Sequence, residues 1–334
     1  AASIELKNAL QTNSNNPRAR LLLGKLNLEM GNVSAAEKEL TKASELGMED
    51  ELILPLKSRA LLLQGKIDEL QRLSLNNLTA NAQAEVLAAQ SLAKLAQGEI
   101  AEAALLVEQA ISKDPGSINT LIASARVHAM QQEIDLAKEK LEKVFLIDPK
   151  SAQAWSLLGD IELREKNLEL AEDAYSKAIE YGLNNLNNHY KRALVLIQLN
   201  KLKEAQKDVD VVKKSSPQNA GVNFAQGLIF YQNKNFRDAA NSFEIALTDE
   251  ARYPLALLYM GVSHFLQNNL EQAETYANRF VYIAPANFAG QKLLATIKYK
   301  NQEYTAAEDL IRPVVDSRQD DIGALNLLSS VLIK

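Results

Sequence analysis

The chain has 334 residues, of which 47% are hydrophobic and 24% are charged, and its formal net charge at pH 7 is −5. This composition is ample for a packed core, and the small negative charge provides no clustered basic surface for nucleic acid. The absence of cysteine excludes disulfides and zinc ribbons, and no apolar run approaches the roughly 18 residues of a transmembrane helix.

A period of 34 residues runs along most of the chain. The repeated residues are seven alanines, Ala103, Ala137, Ala171, Ala205, Ala239, Ala273 and Ala307. A small residue lies 12 positions before each of them, at Ser91, Ala125, Gly159, Ala193, Gly227, Gly261 and Ala295, and a proline lies 12 positions after four of them, at Pro115, Pro149, Pro217 and Pro285. Small residues let two helices approach closely, and a proline starts the following turn. Each period therefore predicts one antiparallel helix pair, and stacked pairs bury each other's apolar stripes.

In chain order, the pattern predicts a partial unit, nine helix pairs and a second partial unit. Residues 1–16 have the pattern of a second helix whose first helix is missing. The nine units begin near residues 17, 51, 84, 118, 152, 186, 220, 254 and 288. Residues 322–334 have the pattern of a first helix without its partner. We therefore expect apolar faces at both ends and a natural protein that is longer in both directions.

The unit at residues 51–83 departs from this pattern. It is one residue shorter than the others, it has Pro55 within its predicted first helix, and Leu70 stands in the place of the repeated alanine. A proline inside a helix removes a hydrogen bond and kinks the backbone. We expect a kinked or splayed helix pair here, either through drift of the sequence or because the distortion serves a function.

The repeated residues resemble the tetratricopeptide repeat, whose pattern is Trp-x-x-Leu-Gly, then alanine, an aromatic residue, alanine and proline. The matching residues are Trp155, Leu158, Gly159, Ala171, Tyr175 and Ala178 in one unit, and Gly227, Phe230, Ala239, Phe243 and Ala246 in another. The resemblance covers the whole chain. It implies an all-α fold, a right-handed superhelical solenoid of about nine helix-turn-helix units plus half-units at both ends, which forms a single domain over residues 1–334.

No arrangement of residues predicts a catalytic, metal or cofactor site. His128 and His264 are 136 residues apart, which is four full repeats, so they occupy the same position in different layers of the stack. His189 falls where the tryptophan of the family pattern stands. We therefore expect no shared metal site, no cofactor and no enzymatic activity in these residues.

The family resemblance also implies where partners bind, because in such repeats the first helices line the concave face of the superhelix. The inward positions are the second, fifth, ninth and twelfth residues of each unit. The predicted binding residues in units six to nine are Tyr190, Ile197, Phe224, Leu228, Tyr231, Leu258, Val262, Phe265, Lys292 and Tyr299. Clustered aromatic residues are typical of binding hot spots. We expect a groove for an extended or helical peptide, and partial burial of these side chains by their neighbours is the alternative.

The earlier units present a different inner face. The same positions there carry a secondary basic set, Arg18, Lys25, Arg59 and Arg126, among leucine and alanine. The asymmetry along the chain is marked, because all ten tyrosines lie after residue 170. The aromatic stretch is therefore the preferred candidate for a partner site, and the basic stretch is the second.

The first units resemble a narrower group of proteins. Residues 4–10, 15–25, 35–40 and 54–56 are similar to the long repeat lipoproteins of the bacterial PEP-CTERM/exosortase system. This resemblance implies an envelope lipoprotein of a Gram-negative bacterium, anchored in the periplasm or cell envelope by a lipidated cysteine upstream of Ala1 and associated with exopolysaccharide production and protein sorting. A cytoplasmic location is the alternative.

Two classes of function follow from these observations. The favoured one is a non-catalytic scaffold that binds a protein or peptide partner in its groove and assembles envelope or exopolysaccharide machinery. The alternative is the repeat module of a larger enzyme, such as a glycosyltransferase, that presents substrates or partners to a catalytic domain. Self-association through the bare ends is a third possibility, and the ligand is left open between peptide, folded protein and glycan.

Overall fold

The computed structural model describes residues 2–183 and 185–334. Within these residues the secondary structure consists of 20 α-helices and one short 3₁₀ helix, and it includes no β-strand. The most extensive contacts join consecutive helices. The all-α fold of adjacent helix pairs is therefore confirmed.

The chain divides into two compact bodies, Ala1–Asn188 and His189–Lys334, which we call the N-terminal and C-terminal bodies. The single solenoid over residues 1–334 stays a prediction from the sequence. The helices of the N-terminal body are α1 (Ala2–Thr12), α2 (Pro17–Glu29), α3 (Val33–Glu45), α4 (Asp50–Leu63), α5 (Ile67–Gln71), α6 (Ala80–Ala96), α7 (Ile100–Lys113), α8 (Ile118–Met130), α9 (Ile134–Ile147), α10 (Ala152–Arg164) and α11 (Leu168–Tyr181).

Helix α12 (Leu186–Gln198) contains the division between the two bodies. The C-terminal body continues with α13 (Leu202–Ser215), α14 (Ala220–Gln232), α15 (Phe236–Ala246), a 3₁₀ turn (Leu247–Asp249), α16 (Leu255–Leu266), α17 (Leu270–Ile283), α18 (Phe288–Lys300), α19 (Tyr304–Ser317) and α20 (Ile322–Leu332). The predicted partial units thus each contain one helix, α1 and α20. Among the residues that the structure describes, every helix is too short or too polar to cross a lipid bilayer.

The turn inside each helix pair places one residue in the left-handed backbone region. In the first three repeats this residue is a glycine, Gly31, Gly65 or Gly98. Later repeats use other residues at the same point, Gln132, Lys166, Asn200, Lys234, Asn268 and Gln302. The amide that follows closes the helix by donating to a carbonyl five residues back, as Glu133 does to His128 at 2.9 Å. This hydrogen bond holds the turn even where glycine is absent.

The repeated small residue serves mainly to admit a side chain from the second helix. A Cβ atom built on Gly159 would lie 2.6 Å from Cε1 of Tyr175, and one on Gly227 would lie 2.5 Å from Cε1 of Phe243. Both aromatic rings are fully buried. The expected close approach of the helix backbones also occurs, since a Cβ on Gly261 would lie 3.4 Å from the carbonyl oxygen of Ala273. Ring insertion was the part that the sequence pattern did not predict.

The irregular repeat differs from the others most clearly in the length of its second helix. Helix α4 runs from Asp50 to Leu63 with Pro55 inside it, so the proline does not end the helix, and the predicted kink stays a prediction. Helix α5 has five residues, whereas the other second helices have 11 to 14. Leu70, which replaces the repeated alanine, is fully buried. An irregularity is therefore present in this repeat, in the form of a shortened second helix.

Candidate functional site

The ten predicted groove residues all lie in the C-terminal body, on the first helices α12, α14, α16 and α18. Helix α16 contacts both α14 and α18, so these first helices lie side by side. We call the surface formed by the second, fifth, ninth and twelfth residues of repeats six to nine the first-helix face, leaving out Asn187, which lies in the N-terminal body. It is the surface on which a partner would contact several repeats at once.

Burial divides the predicted residues into two groups. Ile197 is 3% exposed and packs in a core cluster with Val209 and Ala225, so it belongs to the core and not to the accessible surface. The other nine are half-buried. Partial burial by neighbouring side chains, the alternative to an open groove, therefore describes most of this face. A partner would contact the outer edges of these side chains.

An aromatic cluster forms the centre of the face. The ring centroid of Phe224 lies 5.9 Å from that of Phe243 and 5.5 Å from that of Tyr253. Tyr259 stacks on Phe243 at 5.4 Å and meets Tyr231 edge-on at 5.1 Å. Because Phe243 is fully buried, it anchors the half-buried rings above it. Rings that are fixed in this way lose little conformational entropy when a partner binds.

Two tyrosine hydroxyls meet at one edge of this cluster. The Tyr190 hydroxyl donates to the Tyr253 hydroxyl at 3.4 Å. Gly221 lies beneath this pair, because a Cβ atom there would collide with the Tyr253 hydroxyl and lie 3.1 Å from Cζ of Tyr190. Burial raises the pKa of Tyr190, and the hydrogen bond to Tyr253 adds to this rise. The phenol therefore stays protonated and can serve a ligand as a neutral donor or acceptor.

The face is almost free of charge. In repeats six to eight, none of the eleven positions that define it carries Asp, Glu, Lys or Arg. In repeat nine, the amine of Lys292 lies 2.6 Å from the carboxylate of Asp321 and is therefore paired. Leu255, which is 43% exposed, and the half-exposed Leu266 add apolar surface on α16. The arrangement suits burial of apolar side chains with a few hydroxyl hydrogen bonds.

Sequence reasoning missed three residues of this site, Leu255, Tyr253 and Tyr259. Leu255 occupies the second position of its repeat, so the inward positions themselves identify it. Tyr253 precedes α16 and Tyr259 is the sixth residue of its repeat, and neither position is inward in the pattern. The tyrosine-rich composition of this part of the chain was the only available signal for them.

The secondary basic residues lie on the first helices of the N-terminal body. Arg18, Lys25 and Arg126 are exposed, and Arg59 is half-buried. Burial lowers the pKa of the Arg59 guanidinium, while the charges of Glu29 and Glu85 act in the opposite direction. These acidic neighbours interrupt the basic surface, so the described contacts do not gather the four cations into one site.

The three histidines each have a local environment of their own. Nδ1 of His128 lies 2.7 Å from Glu133, and Nδ1 of His189 lies 2.6 Å from Asp208. His264 stacks on Tyr276 with the ring centroids 5.5 Å apart, and burial lowers its pKa. Over residues 2–183 and 185–334, no group of three or more potential ligands could hold a metal ion.

Comparison with known proteins gives consistent matches. Family models described as tetratricopeptide repeat match residues 5–69 and 94–161, residues 152–181 and residues 224–288. Together these ranges cover more than half of the chain. A curated relative, tetratricopeptide repeat protein 21A of Mus musculus, is 24% identical over 169 residues. That alignment covers 50% of this chain but spans only 13% of the mouse protein.

Solved structures match the chain over most of its length. The APC/C hetero-tetramer Cut9–Hcn1 gives a TM-score of 0.66 at 14% identity and covers 98% of this chain and 81% of that chain. PilF of Pseudomonas aeruginosa gives a TM-score of 0.58 at 18% identity and covers 65% of this chain and 99% of that chain. At these identities the similarity shows the fold alone.

Proposed function

Because the chain belongs to the tetratricopeptide repeat proteins, we propose that it is a non-catalytic scaffold that binds a protein or peptide partner on the first-helix face of its C-terminal body. One observation carries this proposal. Eleven successive inward positions in repeats six to eight lack charge, and an aromatic cluster lies among them. Apolar and aromatic surface of this kind is where binding hot spots concentrate.

The chemistry of the face favours a partner segment with apolar side chains. The rings of Phe224 and Tyr231 are held from below, and the Tyr190 hydroxyl provides a neutral hydrogen-bonding group at the edge. A charged segment would lose hydration on this surface without gaining an ion pair. We therefore infer an extended or helical peptide whose contacts are mainly leucine, isoleucine or aromatic residues.

The wider role that we propose is assembly of envelope or exopolysaccharide machinery, with the full-length protein lipid-anchored in the bacterial periplasm. The support is the resemblance of residues 4–10, 15–25, 35–40 and 54–56 to the PEP-CTERM/exosortase lipoproteins. Fractionation of the full-length protein, with metabolic labelling by a fatty acid, tests this role. Recovery in the cytoplasmic fraction without label would refute it.

The second candidate is a partner-presenting module of a larger enzyme such as a glycosyltransferase. It uses the same face, so binding data do not separate it from a free-standing scaffold. The natural protein's flanking sequence does: a lipidated cysteine upstream favours the scaffold, and an α/β catalytic domain downstream favours the enzyme module.

The binding face is tested by surface substitution. Leu255→Asp places a charge on an exposed side chain of α16, and Leu170→Asp is the matched control, because Leu170 is 57% exposed on α11. A double variant, Phe224→Ala with Tyr231→Ala, removes the central rings. We expect the wild type and the Leu170 variant to capture the same proteins from native envelopes. The Leu255 variant and the double variant should fail to capture them. If the Leu255 variant unfolds at the same temperature as the wild type, its loss of binding is not caused by unfolding. If the variants captured the same proteins as the wild type, the first-helix face would not be the binding site.

A further inference from the structure

Helix α5 leaves a gap in the row of second helices. It has five residues, whereas α7 of the next repeat has 14. At about 1.5 Å per residue, the missing nine residues correspond to about 13 Å of helix, or two and a half turns. In regular repeats, the second helix packs against the next first helix, as α7 does on α8 and α15 does on α16. Helix α6 lacks most of that neighbour.

Part of the gap is filled by the chain itself. After α5, residues 72–79 contain no helix and place Leu73, Leu75 and Leu78 over the core. Leu78 is buried against Ala82 and Val86 of α6. These leucines replace the apolar contacts that the inner side of a full second helix would make. These leucines cover the core of the irregular repeat, and the shortened α5 leaves a cleft on the outer flank beside α7.

A cleft of about 360 Å³ lies on this flank. Its walls include Gln71 at the end of α5, Lys94 on α6, and Glu102, Leu105 and Leu106 on α7. The side chain of Leu105 is 60% exposed. The cleft thus combines apolar surface from two leucines with a polar rim, at the point where a second helix would otherwise lie.

Leu105 is an exception to the repeat. It stands two positions after the repeated alanine. The residues at this position in the other repeats that carry the alanine are Lys38, Glu139, Asp173, Lys207, Asn241, Thr275 and Asp309. All of these are polar, as expected on the solvated side of a second helix. Within the described residues, this register position carries an exposed leucine only in the repeat that follows the truncated α5, so the apolar residue and the gap coincide.

The charge at the rim specifies the partner further. The amine of Lys94 lies 2.5 Å from Glu99 and 2.7 Å from Glu102. Glu102 lines the cleft and Glu99 does not, but both carboxylates face this one cation, so the three groups together carry a net charge of −1. A partner segment with a basic residue beside its apolar side chain would neutralise it.

We propose that this cleft binds an amphipathic, basic helix of a partner protein, about two and a half turns long, which takes the place of the missing part of α5. One leucine-like side chain of that helix packs on Leu105 and Leu106, and a lysine or arginine lies beside Glu102. The site lies in the N-terminal body and is independent of the first-helix face. It gives the scaffold a second attachment point for a different class of segment.

The test uses the full chain and a displayed library of 14-residue helical peptides that is randomised on one face. Selection runs in parallel on the wild type, on Leu105→Asp and on Leu170→Asp, the matched exposed leucine of a regular repeat. Selected peptides are then synthesised and titrated by fluorescence anisotropy. We expect enrichment of leucine with lysine or arginine at helical spacing. Leu105→Asp should lower the affinity at least about tenfold, while Leu170→Asp leaves it unchanged.

The opposing outcomes are distinct. No enrichment on the wild type, or peptides that bind the Leu105 variant equally well, would overturn the proposal. Sedimentation of the wild type as a dimer that Leu105→Asp dissociates would overturn it in favour of a second copy of this chain. Far-ultraviolet circular dichroism and thermal unfolding of the Leu105 variant should match the wild type, because an exposed side chain contributes little to stability.

Discussion

Substitution of Gly227 by alanine tests how the helix pairs interlock. The added Cβ atom would lie 2.5 Å from Cε1 and 2.6 Å from Cδ1 of Phe243. Because carbon atoms in contact normally lie about 3.5–4 Å apart, the ring must move by about 1 Å. Phe243 is fully buried and touches the rings of Phe224 and Tyr259. A shift of its ring therefore disturbs the whole aromatic cluster.

The expected loss of stability follows from the crowding between the new Cβ atom and the ring of Phe243. Overpacking of a buried site costs about 1–3 kcal/mol, and we expect about 2 kcal/mol for Gly227→Ala. Phe243→Leu alone loses ring contacts and should cost about 1–2 kcal/mol, but it also removes the atoms that collide with the new Cβ. The double variant should then be more stable than the sum of the single effects by about 1–2 kcal/mol. Gly116→Ala is the control, since its Cβ would lie 3.5 Å from Oδ1 of Asp114, an ordinary van der Waals distance.

Native-state hydrogen exchange is the suitable assay, because repeat proteins open locally and a single unfolding free energy is not defined for them. The amides of α15, Phe236–Ala246, report the opening of the affected pair. A neutral Gly227→Ala, or single effects that add without coupling to Phe243→Leu, would refute the steric account of the repeated small residue.

Two further predictions concern ionisable groups of the C-terminal body. The Asp208 side chain is 3% exposed and accepts from Arg192 at 2.7 Å, with His189 at 2.6 Å. Asp208→Ala should lower the free energy of opening of α13, measured by hydrogen exchange, by about 3 kcal/mol. Asp210→Ala, at an exposed position, should lower it by less than about 0.5 kcal/mol. Equal effects of the two substitutions would contradict a stabilising role of the buried ion pair. Burial lowers the pKa of His264 below its ordinary value of 6.5. The stability that the neutral imidazole contributes is therefore complete above pH 6.5 and is lost as the pH falls below that value. The thermal midpoint should therefore fall less between pH values of about 7 and 5 in His264→Gln than in the wild type, and parallel curves would exclude this role.

The sequence predicted the helix pairs because their determinants are local and periodic. Small residues such as Gly159 and Gly227 must recur wherever a ring enters between two helices, so the period alone reveals the pairing. The truncation of α5 was not predicted, because Pro55 indicates a distortion of the first helix instead. The better signal lay in residues 72–79, where Asn76 and Asn77 favour a turn, and Asn77 indeed adopts a positive φ of 60°.

Burial on the first-helix face was harder to predict, because it depends on residues from neighbouring repeats. Phe224 occupies an inward position, yet Tyr253 and Tyr259, about one repeat later, cover part of its ring. Ile197 occupies an inward position too, but it packs into the core with Val209. Position within a repeat gives the direction of a side chain. It does not give the size of the side chains that lie beside it in space.

Residues that break the period carry most of the functional information in such a chain. A residue that follows the period, such as Ala103, is explained by packing, because it is fully buried between helices. Leu105 contributes little to packing, since most of its side chain is in water, and its register position elsewhere is polar. Packing alone therefore does not account for a leucine at this position. A partner segment that covers Leu105, as proposed above, would remove it from water, and the cleft beside the shortened α5 leaves about 360 Å³ for its side chains.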